Sequence, residues 1–239
     1  MRINSALEAV EPGNAAFAEA LKATLQEKLA SLRVKLGDGE NRRACVIWVS
    51  IREQKLFAAW PLPEAPGPLA GALVWKVIDD WRVGCFVCST SAAEPSQVDG
   101  SLGTPLGLHA VADRIGESAP LGAEFRGRVP VGATQLPAEP HEPNRITTRI
   151  LRLRGLEPGW NAGEVSLGDL PPREVVRAGI CGPDEVVSVD SYRRYIYLHG
   201  TNHERKLGTP FSAGCVLLGN LTIAELFPAI PTGTPVLIE

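Results

Sequence analysis

From Cys45 onward the chain is a succession of short apolar runs, CVIWVS, KLFAAW, ALVWKV, VGCFVC, ITTRILRL, YIYLHG, GCVLL and PVLIE, separated by Gly, Pro, Ser and Asn. Runs this short and this often interrupted predict many β-strands joined by turns. Composition agrees: 24 glycines and 20 prolines among 239 residues leave little room for a helix bundle. At 44% apolar the chain buries a core without disulfide staples. Its 24 Lys+Arg against 27 Asp+Glu give a net charge of -3, so the basic field that nucleic acid or an anionic membrane surface calls for is missing. Neither class of partner is expected.

One helix is expected, over residues 15–36, where Phe17, Leu21, Leu25, Leu29, Leu32 and Leu36 recur every three or four positions between Asn14 and Gly37. This divides the chain into a helical extension, 1–43, and a mainly β domain, 44–239. The segment from Trp160 to Arg193 lacks periodicity and holds Pro171, Pro172 and Pro183; it is read as a surface excursion. The five cysteines, Cys45, Cys85, Cys88, Cys181 and Cys215, are odd in number and irregularly spaced, which excludes a full disulfide framework and fits a reducing compartment. The first thirty residues contain no apolar stretch of the kind that directs export. If Met1 is the native start the expected location is cytoplasmic, and otherwise periplasmic.

The segment YRRYIYLHGTNHERKLGTPFSAGCVLLGN, 192–220, carries the chemistry. Tyr195–Leu198 read as a buried strand that ends at His199-Gly200, and Cys215 follows Ser212-Ala213-Gly214 into another apolar run. Two adjacent strand ends would bring His199 and Cys215 together. A thiol with an ordinary pKa near ~8.5 needs such an imidazole, either to take its proton or to pair with the thiolate. The amides near Gly214 and Cys215 are candidates for an oxyanion site. A zinc reading of His199 and His203 fails on the intervening Gly200 and the strand context. The Cys85/Cys88 pair has no second pair and sits on an apolar strand, which predicts burial. His109 and His141 are expected to be structural or solvated.

The order HGTN, a gap, then SAGCV resembles the L,D-transpeptidase (YkuD-type) catalytic domain. VIWVSIREQKLFAAW is similar to that family's opening hairpin, STSAAEPSQVDGSLGTPLGLH to its strand and Thr-Pro-x-Gly turn, and LTIAELFPAIPTGTPVLIE to its closing helix, turn and strand. The resemblance spans residues 44–239 and implies a β-sandwich or barrel with a few short helices. It implies that Cys215 is the nucleophile, His199 the base and Gly200 the carbonyl that orients it. It further implies that Ser212 and Gly214 shape the thiol's surroundings, with no cofactor or metal needed. Stem peptides of peptidoglycan, or muropeptides, are the implied partners. Tyr197 and Asn202 flank His199 and are expected in the cleft. Arg126, Arg128, Arg145 and Arg149 border it, with Arg149 the preferred carboxylate ligand.

Two positions depart from the family's pattern. Ala213 replaces a common His, and Leu217 stands where cross-linking members usually carry Arg or Asn. A leucine neither holds a carboxylate nor polarises a carbonyl. Together with the expected compartment this points to water as acceptor, hence an L,D-carboxypeptidase that trims D-alanine from tetrapeptides in murein recycling. An L,D-transpeptidase and a non-catalytic muropeptide sensor are the alternatives.

Overall fold

The structure is a computed structural model and describes residues 45–239 except 64, 68, 70, 71, 79, 80, 135 and 175–184, together with residue 23. Apart from that one position, the helix expected over 15–36 lies outside the described residues, as does Cys181. Cys45–Glu239 form a unit of their own. In chain order its strands are β1 Val46–Ser50, β2 Lys55–Pro61, β3 Val74–Ile78, β4 Trp81–Ser89, β5 Gly107–Ile115, β6 Ala123–Arg126 and β7 Val129–Ala133. They continue with β8 Ile146–Gly155, β9 Glu164–Ser166, β10 Val186–Ser188, β11 Tyr197–Thr201, β12 Val216–Leu218 and β13 Pro235–Ile238. A short helix, α1, covers Asn220–Leu226.

The main sheet runs β11-β12-β4-β2-β1-β13-β5-β8, and β11 pairs again with β8. The path therefore returns on itself as a barrel, the solution that leaves a sheet without edges. β3 hangs on β4, and the hairpin β6–β7 hangs on β8. Alternation fills the inside: Ile47 and Val49 of β1, Val236 and Ile238 of β13, Leu198 of β11, and Val216 and Leu218 of β12 join one buried cluster. Ile223 and Leu226 of α1 add to it. The mainly β fold expected from the apolar runs is the fold observed.

Two local expectations change. The strand carrying His199 begins two residues later than the apolar run suggests, because Arg194 N–H and Tyr195 N–H are committed to a turn, donating to Asp190 O at 2.9 Å and Tyr192 O at 3.2 Å. Tyr195 then takes a left-handed φ of 58°. His199 accordingly sits in mid-strand instead of at a strand end. The 160–193 segment is also more than an excursion. β9 and β10 pair as a separate ribbon, and Val165, Leu167, Leu170, Val187 and Val189 pack with Val98 and Trp160 into a small apolar cluster.

β11 is pressed closely between its neighbours at Gly200, where a β-carbon would lie 2.5 Å from Asn220 Oδ1 and 2.7 Å from Thr147 O. Only glycine fits. The buried Asn220 side chain ties the junction, accepting from Thr147 Oγ1 at 2.6 Å and Thr148 Oγ1 at 2.5 Å and donating to Thr201 O at 2.8 Å. Asn220→Ala strands a buried carbonyl and two hydroxyls. It should therefore lower unfolding stability by about 2–4 kcal/mol in urea titrations. A loss below about 1 kcal/mol would show that the junction holds without it.

Candidate functional site

β11 and β12 run parallel with His199 paired to Leu217 and Leu198 to Val216. Leu198 and Val216 point into the barrel, so Tyr197, His199, Leu217 and, one step before the strand, Cys215 share the outer face. Cys215 is thus a diagonal neighbour of His199. The thiol is half-buried, packs beside Ala123, Phe125, Ile150 and Tyr197, and donates to Tyr195 O at 3.5 Å. His199 is buried, with Nδ1 2.7 Å from Gly200 O. A carbonyl only accepts, so Nδ1 carries the proton and Nε2 has its lone pair available.

Burial dominates the electrostatics. It pushes the Cys215 thiol up to about 11, against the opposing pull of a hydrogen bond from the Tyr197 backbone and the Arg194 charge. It pushes His199 down to about 4, against the Gly200 hydrogen bond. At neutral pH the resting pair is a thiol beside a neutral imidazole, not an ion pair.

The loop before the thiol is held from within. Ser212 Oγ donates to Cys215 O at 2.6 Å and accepts from Gly214 N at 3.2 Å. Gly214 has a φ of 119°, which favours glycine, and a β-carbon there would lie 3.4 Å from Gly103 O. Because its N–H already serves Ser212, Gly214 would have to release that bond to receive an oxyanion. Gly103 in turn is fixed by Arg194, a residue the sequence reading passed over. Its guanidinium donates to Ser96 O and Gln97 O, both at 2.9 Å, to Ser101 Oγ at 3.3 Å and to Gly103 O at 2.7 Å. Nothing in an isolated Arg-Arg pair signals that role.

The remaining expected residues divide. Tyr197 is at the site, its ring edge-on to His199 at 6.4 Å between centroids. Asn202 is a strut: Oδ1 accepts from Arg145 N at 2.8 Å and Nδ2 donates to Pro143 O at 3.1 Å, which leaves little for a ligand. Arg149 is not brought to the thiol. β8 bulges where His199 pairs with Ile150 and Gly200 with Thr147, and Arg149 in that bulge donates to Ala119 O and Thr148 O, both at 2.6 Å, and lies beside Phe227. Arg126 and Arg145 both bind Glu124. Arg128 is the one of the four that reaches the site, 3.3 Å from Tyr197 Oη.

His203 Nε2 meets Glu142 O at 2.8 Å, and His109 lies between Gly107 O and Ser191 Oγ, each at 3.0 Å. Cys45, Cys85 and Cys88 are buried free thiols. Among the described residues no cluster of His, Cys, Asp and Glu is placed to hold a metal ion, and no helix is long and apolar enough to cross a membrane.

The sequence matches the family of the L,D-transpeptidase catalytic domain, YkuD, over residues 46–238. A Fuscovulum blasticum protein named "Putative L,D-transpeptidase in ATP synthase subunits region ORF 5" is 31% identical over 140 residues, which make up 57% of this chain and 70% of that one. Among solved structures, L,D-transpeptidase 3 from Mycobacterium tuberculosis aligns with a TM-score of 0.38 and 16% identity over 82% of this chain and 61% of its own. An L,D-transpeptidase from Xylanimonas cellulosilytica aligns with a TM-score of 0.38 and 15% identity over 84% of this chain and 63% of its own. The chain therefore spans about three fifths of the length of these two solved structures.

The two buried imidazoles set an acid limit on stability. His109, like His199, is pushed down to about 4 by burial, against its bond to Gly107. Unfolded, each takes a proton near 6.5, so between those values the unfolded chain binds more protons than the folded one. Their stabilising contribution is complete above about pH 6.5 and drains as pH falls toward 4. The urea midpoint should fall across that window, and His109→Asn should flatten the fall; a midpoint level across the window would contradict the burial. Alkylation of Cys215 by iodoacetamide should climb about tenfold per pH unit from 7 with no plateau before pH 10. A plateau near neutral pH would instead reveal a thiolate–imidazolium pair.

Proposed function

This chain belongs to the L,D-transpeptidase (YkuD) catalytic-domain family, and we propose that it acts on peptidoglycan stem tetrapeptides as a cysteine L,D-carboxypeptidase. The observation that carries the catalytic assignment is the pairing of a half-buried thiol with a diagonal neighbour imidazole whose Nδ1–H is held by Gly200 O. Cys215 attacks the carbonyl of the diaminopimelate residue while its proton passes to His199 Nε2. The imidazolium returns that proton to the departing D-alanine nitrogen, and a thioester remains on Sγ. Water, deprotonated by the same nitrogen, then releases the tripeptide.

The neutral resting pair suits this sequence. Full ion-pair formation in a buried site is disfavoured, so the proton moves as the bond to carbon forms and the developing oxyanion is stabilised in turn. Water as acceptor is supported by Leu217, fully buried and paired directly with His199. An apolar side chain at that position gives an incoming amine nothing to hold its carboxylate or its charge, whereas water needs only the imidazole.

Incubation of the purified protein with a disaccharide tetrapeptide, followed by mass spectrometry, should show loss of D-alanine. Cys215→Ala should abolish it, and His199→Asn should reduce it by at least about a hundredfold. Dimers linked between diaminopimelate residues would favour L,D-transpeptidation. Tight binding of the tetrapeptide by the unaltered protein, with no release at all, would identify a sensor.

A further inference from the structure

The hairpin β6–β7 turns on Gly127 and Arg128, with φ of 54° and 70°. Two left-handed residues in succession form the tight turn whose favoured sequences are Asn-Gly and Gly-Gly. Arginine at the second position is strained there, and strain of this kind persists where the surroundings hold the residue in place. The surroundings here are aromatic. The Arg128 guanidinium lies 5.0 Å from the Tyr195 ring centroid and donates to Tyr197 Oη at 3.3 Å.

What Arg128 lacks is an acid. Its hairpin neighbour Arg126 lies 3.0 Å from Glu124, Arg145 lies 2.8 Å from the same carboxylate, and Arg152 lies 3.5 Å from Asp113. Among the described residues Arg128 has no carboxylate within ion-pair distance, and the hydroxyls of Tyr197 and Tyr195 do not occupy five N–H donors. Its position is also tied to the nucleophile. Tyr195, half exposed, presents its ring to Arg128 and its backbone carbonyl to the Cys215 thiol. Tyr197 presents its hydroxyl to Arg128 and its ring edge to His199.

We propose that Arg128, backed by the Tyr195 ring and the Tyr197 hydroxyl, is a carboxylate subsite that holds an anionic group of the peptide whose carbonyl meets Cys215. The planar fork matches a carboxylate in two parallel hydrogen bonds, and the phenol completes the cradle as a further donor once the guanidinium turns to the ligand. This rests on the peptide substrate proposed above. It moves the recognition role from Arg149, which the β8 bulge carries away, to the hairpin tip.

The test separates the subsite from the reaction. The full chain and its Arg128→Gln and Arg128→Lys variants are treated with a dianionic disulfide, dithiobis(nitrobenzoate), and a neutral one, dithiodipyridine, with Cys215→Ala reporting background from other thiols. The ratio of anionic to neutral exchange rates at Cys215 should fall about fivefold to tenfold in Arg128→Gln and be partly kept in Arg128→Lys. With the tetrapeptide, the loss in Arg128→Gln should appear mainly in KM. An unchanged rate ratio together with an unchanged KM would overturn the subsite, whatever the unaltered protein does to the tetrapeptide. A lost ratio in a protein that releases no D-alanine would keep the subsite and remove the hydrolytic reading.

Discussion

The structure depends on one strand being hydrogen-bonded along both edges. β11 is parallel to β12 on one side and antiparallel to β8 on the other, and it closes the barrel. Closure makes it an interior strand, so its five residues are all buried. A side chain on such a strand has little freedom to shift, which is the kind of support a proton-transferring imidazole needs. The cost falls at Gly200, where α1 and β8 approach so closely that any side chain would collide with Asn220 or Thr147. The glycine beside the histidine therefore serves twice, through its absent β-carbon and through the carbonyl that fixes Nδ1.

Closure also separates two environments across a single sheet. One face of β11 and β12 belongs to the hydrocarbon interior through Leu198, Val216 and Leu218. The other holds the imidazole and the thiol, the thiol packed against the β6 residues Ala123 and Phe125. A slip of one residue in the β11–β12 register would exchange these faces, sending His199 into the core. The deep packing of Leu198 against both sheet neighbours thus protects the chemistry as well as the fold.

Much of this was legible in the sequence, for definite reasons. β1, β2, β4, β8 and β13 are continuous or alternating apolar runs, and burial on one or both faces writes itself into composition. β7 is exposed along its whole length, and β9 and β10 are three residues each, too short for any period to register. At the site, the approach of His199 to Cys215 was readable because a glycine-marked strand and a glycine-marked thiol lie close in the chain. Arg149 was preferred as an arginine within an apolar run, and such a run does not disclose the left-handed Thr148 beside it or the backbone carbonyls of Ala119 and Thr148 that its guanidinium serves. Arg194 was invisible, since three of its four partners are backbone carbonyls more than ninety residues away, and carbonyls leave no trace in side-chain identity.

The raised thiol bears on how the sulfur fares when no ligand lies beside it. Burial raises the Cys215 pKa well above neutral, so at pH 7 the sulfur is almost wholly protonated. Peroxide and stray electrophiles react with the thiolate, so a chain in this state spends almost all its time off the oxidation ladder that ends in irreversible sulfinic and sulfonic acids. Burial has then traded standing reactivity for longevity, and in the proposed reaction the sulfur becomes a nucleophile chiefly when a carbonyl is in place to accept it.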